Sequence, residues 1–192
     1  GSVMVAVEPP GSPVGQSGVG APGCQHKLYR MQVVRMTGGS TRDKKARAKM
    51  SVTSEMRNLT AVSDFVTEFA HRYEICDDDT FALQTAIDEA CANVVDHAYQ
   101  GKPDGQMHIQ CALSDGEVTV TIVDHGKPFD PRSVPRPDVS APLQKRQEGG
   151  LGLYMMERLM DSVKFEFDAA KGNRLTMKKK VRHENLPLCQ PS

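Results

Sequence analysis

The sequence contains no tryptophan, and only 6 Phe and 4 Tyr among 192 residues. It has no charge surplus either, with 24 Lys+Arg against 24 Asp+Glu. Coating nucleic acid or an acidic membrane takes an excess of basic groups, so no direct nucleic-acid binding is expected. No apolar run approaches the roughly 20 residues that span a bilayer, and no basic-then-apolar leader opens the chain. A cytoplasmic protein with no membrane role is therefore expected. The 5 cysteines (Cys24, Cys76, Cys91, Cys111, Cys189) are odd in number, scattered and never spaced C-x-x-C. That signals neither a zinc site nor a redox pair, and fits reduced thiols packed as small apolar side chains.

What is present is ordinary for a globular domain, at 39% hydrophobic and 25% charged residues. From Pro9 to Gly23, eleven of fifteen residues are Gly, Pro or Ser, too little apolar surface to offset chain entropy. Residues 26–36 could add an edge strand, and the basic run 42–49 reads as linker. Residues 1–47 are thus expected to be a disordered or weakly ordered extension, 48–182 the folded domain and 183–192 a tail.

Within the domain, Lys49-Met-Ser-Val-Thr53 alternates as a strand. Ser54 is positioned to cap a helix carrying Met56, Leu59, Val62, Phe65, Val66 and Phe69. Asp77-Asp-Asp79 offers a cap for a second helix over about 80–99, which Gly101-Lys-Pro-Asp-Gly105 ends. Met107–Leu113 and Val118–Asp124 form a hairpin through Ser114-Asp-Gly-Glu117. A Pro-rich loop over 127–148 leads to a Gly-opened third helix, then strands Val163–Phe167 and Arg174–Val181. This order predicts an α+β fold: a two-layer α/β sandwich whose mixed, mostly antiparallel sheet carries helices on one face.

Three places could carry chemistry. On the second helix, Leu83, Ile87, Cys91, Val94 and Ala98 make an apolar stripe, and Glu89, Asn93, Asp96 and His97 the opposite side. From Glu74 to Gly101 there are seven acids and no Lys or Arg, a lopsided face that suits a bound cation. Asp124-His-Gly126 follows an apolar strand; its carboxylate can accept from a ligand amine, and Gly126 permits close approach. Gly149-Gly-Leu-Gly152 opens an apolar helix, where bare N–H groups at a positive helix end favour phosphate. The pattern is neither a P-loop nor a dinucleotide fingerprint.

Taken in order, Asp88-Glu-Ala-Cys-Ala-Asn-Val-Val-Asp-His-Ala-Tyr99, Asp124-His-Gly-Lys-Pro-Phe-Asp-Pro131 and Glu148-Gly-Gly-Leu-Gly-Leu-Tyr154 resemble the N, G1 and G2 boxes of the GHKL (Bergerat-fold) ATPases. The wording is most similar to the anti-sigma-factor/serine-protein-kinase branch of bacterial partner switching. The resemblance covers about residues 49–181. It implies ATP and Mg²⁺ as cofactors, with Asn93 as the Mg²⁺ ligand and Glu89 as the general base. It further implies that His97 reaches a phosphate, that Asp124 reads the adenine amino group beside Gly126, and that Gly150, Leu151 and Gly152 close over the phosphates.

Pro128 and Glu148 depart from the pattern, standing where many GHKL proteins have glycine and some anti-sigma kinases have arginine. The implied function is an anti-sigma factor and protein serine kinase that phosphorylates a small antagonist protein. The partners are then that antagonist and a sigma factor or analogous regulator, and the chain could form a homodimer. The alternative is a non-catalytic regulator whose nucleotide tunes protein binding. A scaffold without nucleotide is disfavoured by the intact Glu89/Asn93/Asp124/Gly152 set. Between Ala169 and His183, Lys171, Arg174, Lys178, Lys179, Lys180 and Arg182 face no acid in the sequence, making a solvated strand or a dock for an acidic protein.

Overall fold

The structure, a computed structural model, describes residues 32–36, 45–128 and 150–183. Its elements are β1 (Gln32–Met36), β2 (Lys45–Thr53), α1 (Leu59–Arg72), α2 (Asp77–Asn93), β3 (Gln106–Ser114), β4 (Glu117–Asp124), α3 (Leu151–Leu159), β5 (Ser162–Asp168) and β6 (Gly172–Lys180). A 3₁₀ turn, Met56–Asn58, precedes α1, and a π-helical turn, Val94–Ala98, continues α2. The six strands form one sheet in the order β1-β2-β3-β4-β6-β5, and every pairing among the described residues is antiparallel. The sandwich is therefore the expected one, with a sheet more uniform than mixed. The Gly/Pro/Ser-rich stretch at 9–23, most of the Pro-rich loop and residues 184–192 lie outside the described residues.

β2 begins at Lys45, ahead of the expected domain start at 48, because the basic run alternates: Lys45, Arg47 and Lys49 are exposed while Ala46, Ala48 and Met50 are buried. A period of two places every basic side chain on the solvent face and every alanine on the core face. β1 pairs with β2 as the edge strand. The β3–β4 hairpin turns at Asp115 and Gly116, both at positive φ (53° and 73°), as a two-residue turn matching strand twist requires.

The core lies between this sheet and the helices. Val62, Phe65, Val66 and Phe69 of α1, Leu83, Ile87 and Cys91 of α2 and Met156 of α3 pack on Met107, Ile109, Cys111, Val118, Val120, Ile122 and Met177. Burying each large apolar side chain contributes about 1.5–3 kcal/mol. Cys76, Cys91 and Cys111 are buried. Burial pushes the Cys111 thiol up to about 12, the inert setting of a packing cysteine. No helix among the described residues is long and apolar enough to cross a membrane.

Three local expectations change. Ser54 does not cap α1; it is buried and clasps the loop after α2, its Oγ donating to Lys102 O (2.6 Å) and accepting from Gly105 N (3.0 Å). Met56, one residue into the 3₁₀ turn, is 55% exposed rather than in the core. Asp77, Asp78 and Asp79 occupy the first turn of α2, behind Cys76 as N-cap and without a side-chain cap bond; there they face the positive end of the helix dipole. Separately, cations of β6 and of the residues just after it meet acids that sequence distance conceals. Lys178 Nζ reaches Glu117 at 2.9 Å, and Arg182 Nε reaches Asp79 at 3.1 Å.

Candidate functional site

Three elements of the sandwich converge beside the C-terminal half of α2. The π turn there, closed by Tyr99 N–H donating to Val94 O (3.0 Å), inserts one residue relative to an α-helix. Such bulges concentrate at functional sites. Val94, expected in the core stripe, packs against the core and also lines a cleft, while Val95 beside it is fully buried. The helix then stops sharply, with Gln100 and Gly101 at positive φ. Tyr99 ties this end to β3 and β4, its OH donating to Gln106 O (3.1 Å) and accepting from His125 N (3.0 Å).

The cleft has an empty volume of about 420 Å³ and opens to solvent. Asn93, Val94 and Ala98 wall it from the helix side, and Asp124 and Asn173 from the sheet. Asp124, at the end of β4, is 5% exposed. Its Oδ1 accepts from Gly126 N–H (2.9 Å) and from Asn173 Nδ2 (2.8 Å). Among the described residues Oδ2 takes no hydrogen bond, so one acceptor-only oxygen is left to a ligand donor. Asn173 Nδ2 also donates to Gly126 O (3.0 Å), fixing the turn around the carboxylate.

Gly126 is required by its neighbours. A Cβ there would stand 2.7 Å from Ala98 O and 2.8 Å from Ala98 Cβ, closer than real side chains come. Lys127 N–H donates to the same carbonyl (2.8 Å). Gly126→Ala should therefore push the β4 turn off the helix end. A loss of about 1–3 kcal/mol is expected by thermal unfolding, the usual cost of overpacking.

Glu89 and Asn93 are half-buried and one turn apart. Asn93 faces the cleft; Glu89 faces α3, where a side chain at Gly152 would strike its carboxylate. Gly150 is the left-handed N-cap of α3 (φ 78°) and Leu151 is 53% exposed. His97 is exposed at the π turn and is not among the cleft-lining residues. The structure thus brings Asn93 and Asp124 into one cleft, Gly126 beneath its helix wall, and Glu89 against Gly152. Gly149 and Glu148 lie outside the described residues.

Asp88 belongs elsewhere despite adjoining Glu89. It sits on the α1 seam, accepting from Ser63 Oγ (3.4 Å), which in turn accepts from Gln84 Nε2 (2.9 Å). Burial raises its carboxyl above the ordinary value, helped by the charges of Glu89 and Asp64 and opposed by the Ser63 bond. Asn173 belongs to none of the three motifs; only the pairing of β4 with β6 sets it opposite Asp124. Phe165, Phe167, Lys127 and Arg174 also line the cleft without having been predicted.

Comparison with known proteins identifies the family. The family model described as Histidine kinase-like ATPase domain matches residues 52–179. A protein of Clostridium botulinum named anti-sigma F factor is 31% identical over 138 residues, 68% of this chain and 92% of its own length. One of Halalkalibacterium halodurans named serine-protein kinase RsbW is 32% identical over 142 residues, 72% of this chain and 85% of its own. The crystal structure of the RsbU and RsbW domains of Rv1364c from Mycobacterium tuberculosis superposes with a TM-score of 0.53 at 19% identity. It matches 70% of this chain over about a third (32%) of that one, a likeness of fold. The chain belongs to the histidine kinase-like ATPase family, in the branch that includes anti-sigma factors and serine-protein kinases.

Proposed function

We propose that the protein binds Mg·ATP in the α2–β4 cleft and phosphorylates a serine of a small antagonist protein in the cytoplasm, alternating that partner with a sigma factor or analogous regulator. The observation that carries this is the meeting of Asn93 and Asp124 in one cleft, with Glu89 held against Gly152 beside it. The donor set fits the ligands. Asn93 offers one neutral oxygen, and Mg²⁺ commonly takes few protein ligands beside phosphate and water. Asp124 offers a carboxylate oxygen that opens on the cleft as an acceptor for an amino group, and Gly126 and Gly152 keep side chains out of the way. Mg·ATP, when bound, supplies the phosphoryl group and the cation that tempers its charge.

The chain's own residues divide the remaining work. Asp124, braced by Asn173 and Gly126, orients the base. Glu89 is placed to accept the proton of an attacking hydroxyl. Gly150 and Gly152 leave N–H groups at the start of α3 open to phosphate. His97, exposed on the π turn, is assigned a phosphate contact by the family resemblance alone.

Calorimetric titration tests this reading. Wild-type protein should bind ATP saturably and more tightly with Mg²⁺. Asn93→Ala should lose about tenfold in affinity, the lower range for a lost metal-site contact, and only when Mg²⁺ is present. Binding indifferent to both Mg²⁺ and Asn93 sinks the assignment. One residue favours a second reading: Glu148 stands where some anti-sigma kinases place an arginine, and transfer needs positive charge on the phosphoryl oxygens. Intact ATP binding with no phosphoserine on captured partners would select the non-catalytic, nucleotide-tuned regulator.

A further inference from the structure

We infer that Phe167 is a base-stacking residue of this cleft, an aromatic wall that selects a flat heterocycle next to the carboxylate reading its amino group. The inference rests on the nucleotide-binding reading and extends it to a position that none of the three motifs contains.

The sheet register is the first support. Asp124 pairs with Asn173, and Asn173 with Phe167, so the three form one row across β4, β6 and β5 on the helix-facing side. At about 4.8 Å per strand, the Phe167 backbone lies about 10 Å from that of Asp124. Between them the Asn173 side chain is drawn toward Asp124 and Gly126 by its two hydrogen bonds, leaving a low floor. Across the cleft stand Val94 and Ala98. The result is a slot with apolar walls on opposite sides and one carboxylate oxygen at its base, the shape and chemistry of an amino-bearing purine.

Burial is the second support. In the next row inward, Ile122, Leu175 and Phe165, the phenylalanine packs against the core. Phe167 does not: it is 44% exposed, stands outside the core cluster, and still lines the cleft with Asp124. An apolar ring left uncovered on an edge strand is a liability that proteins ordinarily blunt. A base stacked on it would cover the ring and gain affinity from any purine face.

The absence of tryptophan makes the test direct, because Phe167→Trp introduces the sole indole in the chain. Its fluorescence should be quenched by Mg·ATP and by adenosine, and not by Mg·tripolyphosphate, which lacks the base. In calorimetry Phe167→Ala should weaken Mg·ATP and adenosine by the same factor, about tenfold, and Phe167→Leu should restore little of it. Phe167→Ala binding both ligands as wild type does would overturn the proposal, as would an indole that answers tripolyphosphate as strongly as ATP. Failure of the wild-type protein to bind ATP at all would instead defeat the nucleotide reading on which stacking rests.

Discussion

Glu89→Gln is expected to lower phosphoryl transfer by about 10²–10⁴-fold, the usual contribution of a positioned general base, while leaving ATP affinity nearly unchanged. The amide keeps the size of the carboxylate and its contact with Gly152, so the packing of α2 on α3 survives. It removes only the oxygen that could take a proton. A loss confined to turnover, with binding intact, is the signature of a contact made in the transition state. Asp88→Asn is the matched control. Its carboxyl lies on the α1 seam with Ser63, turned away from the cleft, and its replacement should leave transfer close to wild type. Single-turnover transfer to the antagonist, read as phosphoserine, checks both. Transfer that survives in Glu89→Gln would move the proton to another acceptor.

The motifs of this site were legible because each is local. Glu89 and Asn93 share a helix face by spacing alone, Asp124 and Gly126 share a strand end, and Gly150 and Gly152 open one helix. Their convergence could not be read from spacing; it depends on strand register. Asn173 lies 49 residues from Asp124 and meets it only because β6 pairs with β4. Phe167 joins the same row one strand further out. The π turn was hidden for a different reason. An α-helical wheel runs on unbroken through Val94–Ala98, and the one inserted residue, closed by Tyr99 N–H on Val94 O, leaves no mark in the apolar spacing. β2 extends ahead of the expected strand 49–53 because Lys45 and Arg47, in a run that reads as linker, alternate with Ala46 and Ala48, which enter the core. In each case period and propensity identified the element, and long-range pairing decided what its side chains meet.

The opposite end of α2 carries the largest stability effect expected. Asp79→Ala should cost about 3 kcal/mol, near the low end of the range for breaking a buried ion pair. Asp79 is 4% exposed. It accepts from the Arg182 backbone N–H (2.7 Å), Arg182 Nε (3.1 Å) and Cys76 Sγ (3.3 Å), with Lys179 Nζ at 3.5 Å. The figure sits low because the Arg182 side chain keeps 41% of its exposure and can turn to water when its partner goes. Burial by itself would raise this carboxyl. The Arg182 side chain and backbone N–H, Cys76 and the Lys179 charge together overcome that and hold it below the ordinary 3.8. A depressed folded-state value means the stabilisation is complete above the unfolded carboxylate range and is lost as pH falls through the lower, folded value. Thermal unfolding followed from pH 7 to pH 2 should therefore show the wild-type advantage over Asp79→Ala shrinking only below about pH 4. An advantage that stayed constant down to pH 2 would assign the effect to packing instead of charge. The clasp joins the strand leaving the sheet to the helix that carries Glu89 and Asn93. Its loss should lower the melting temperature without altering which ligands the still-folded protein binds, because the cleft lies at the other end of α2.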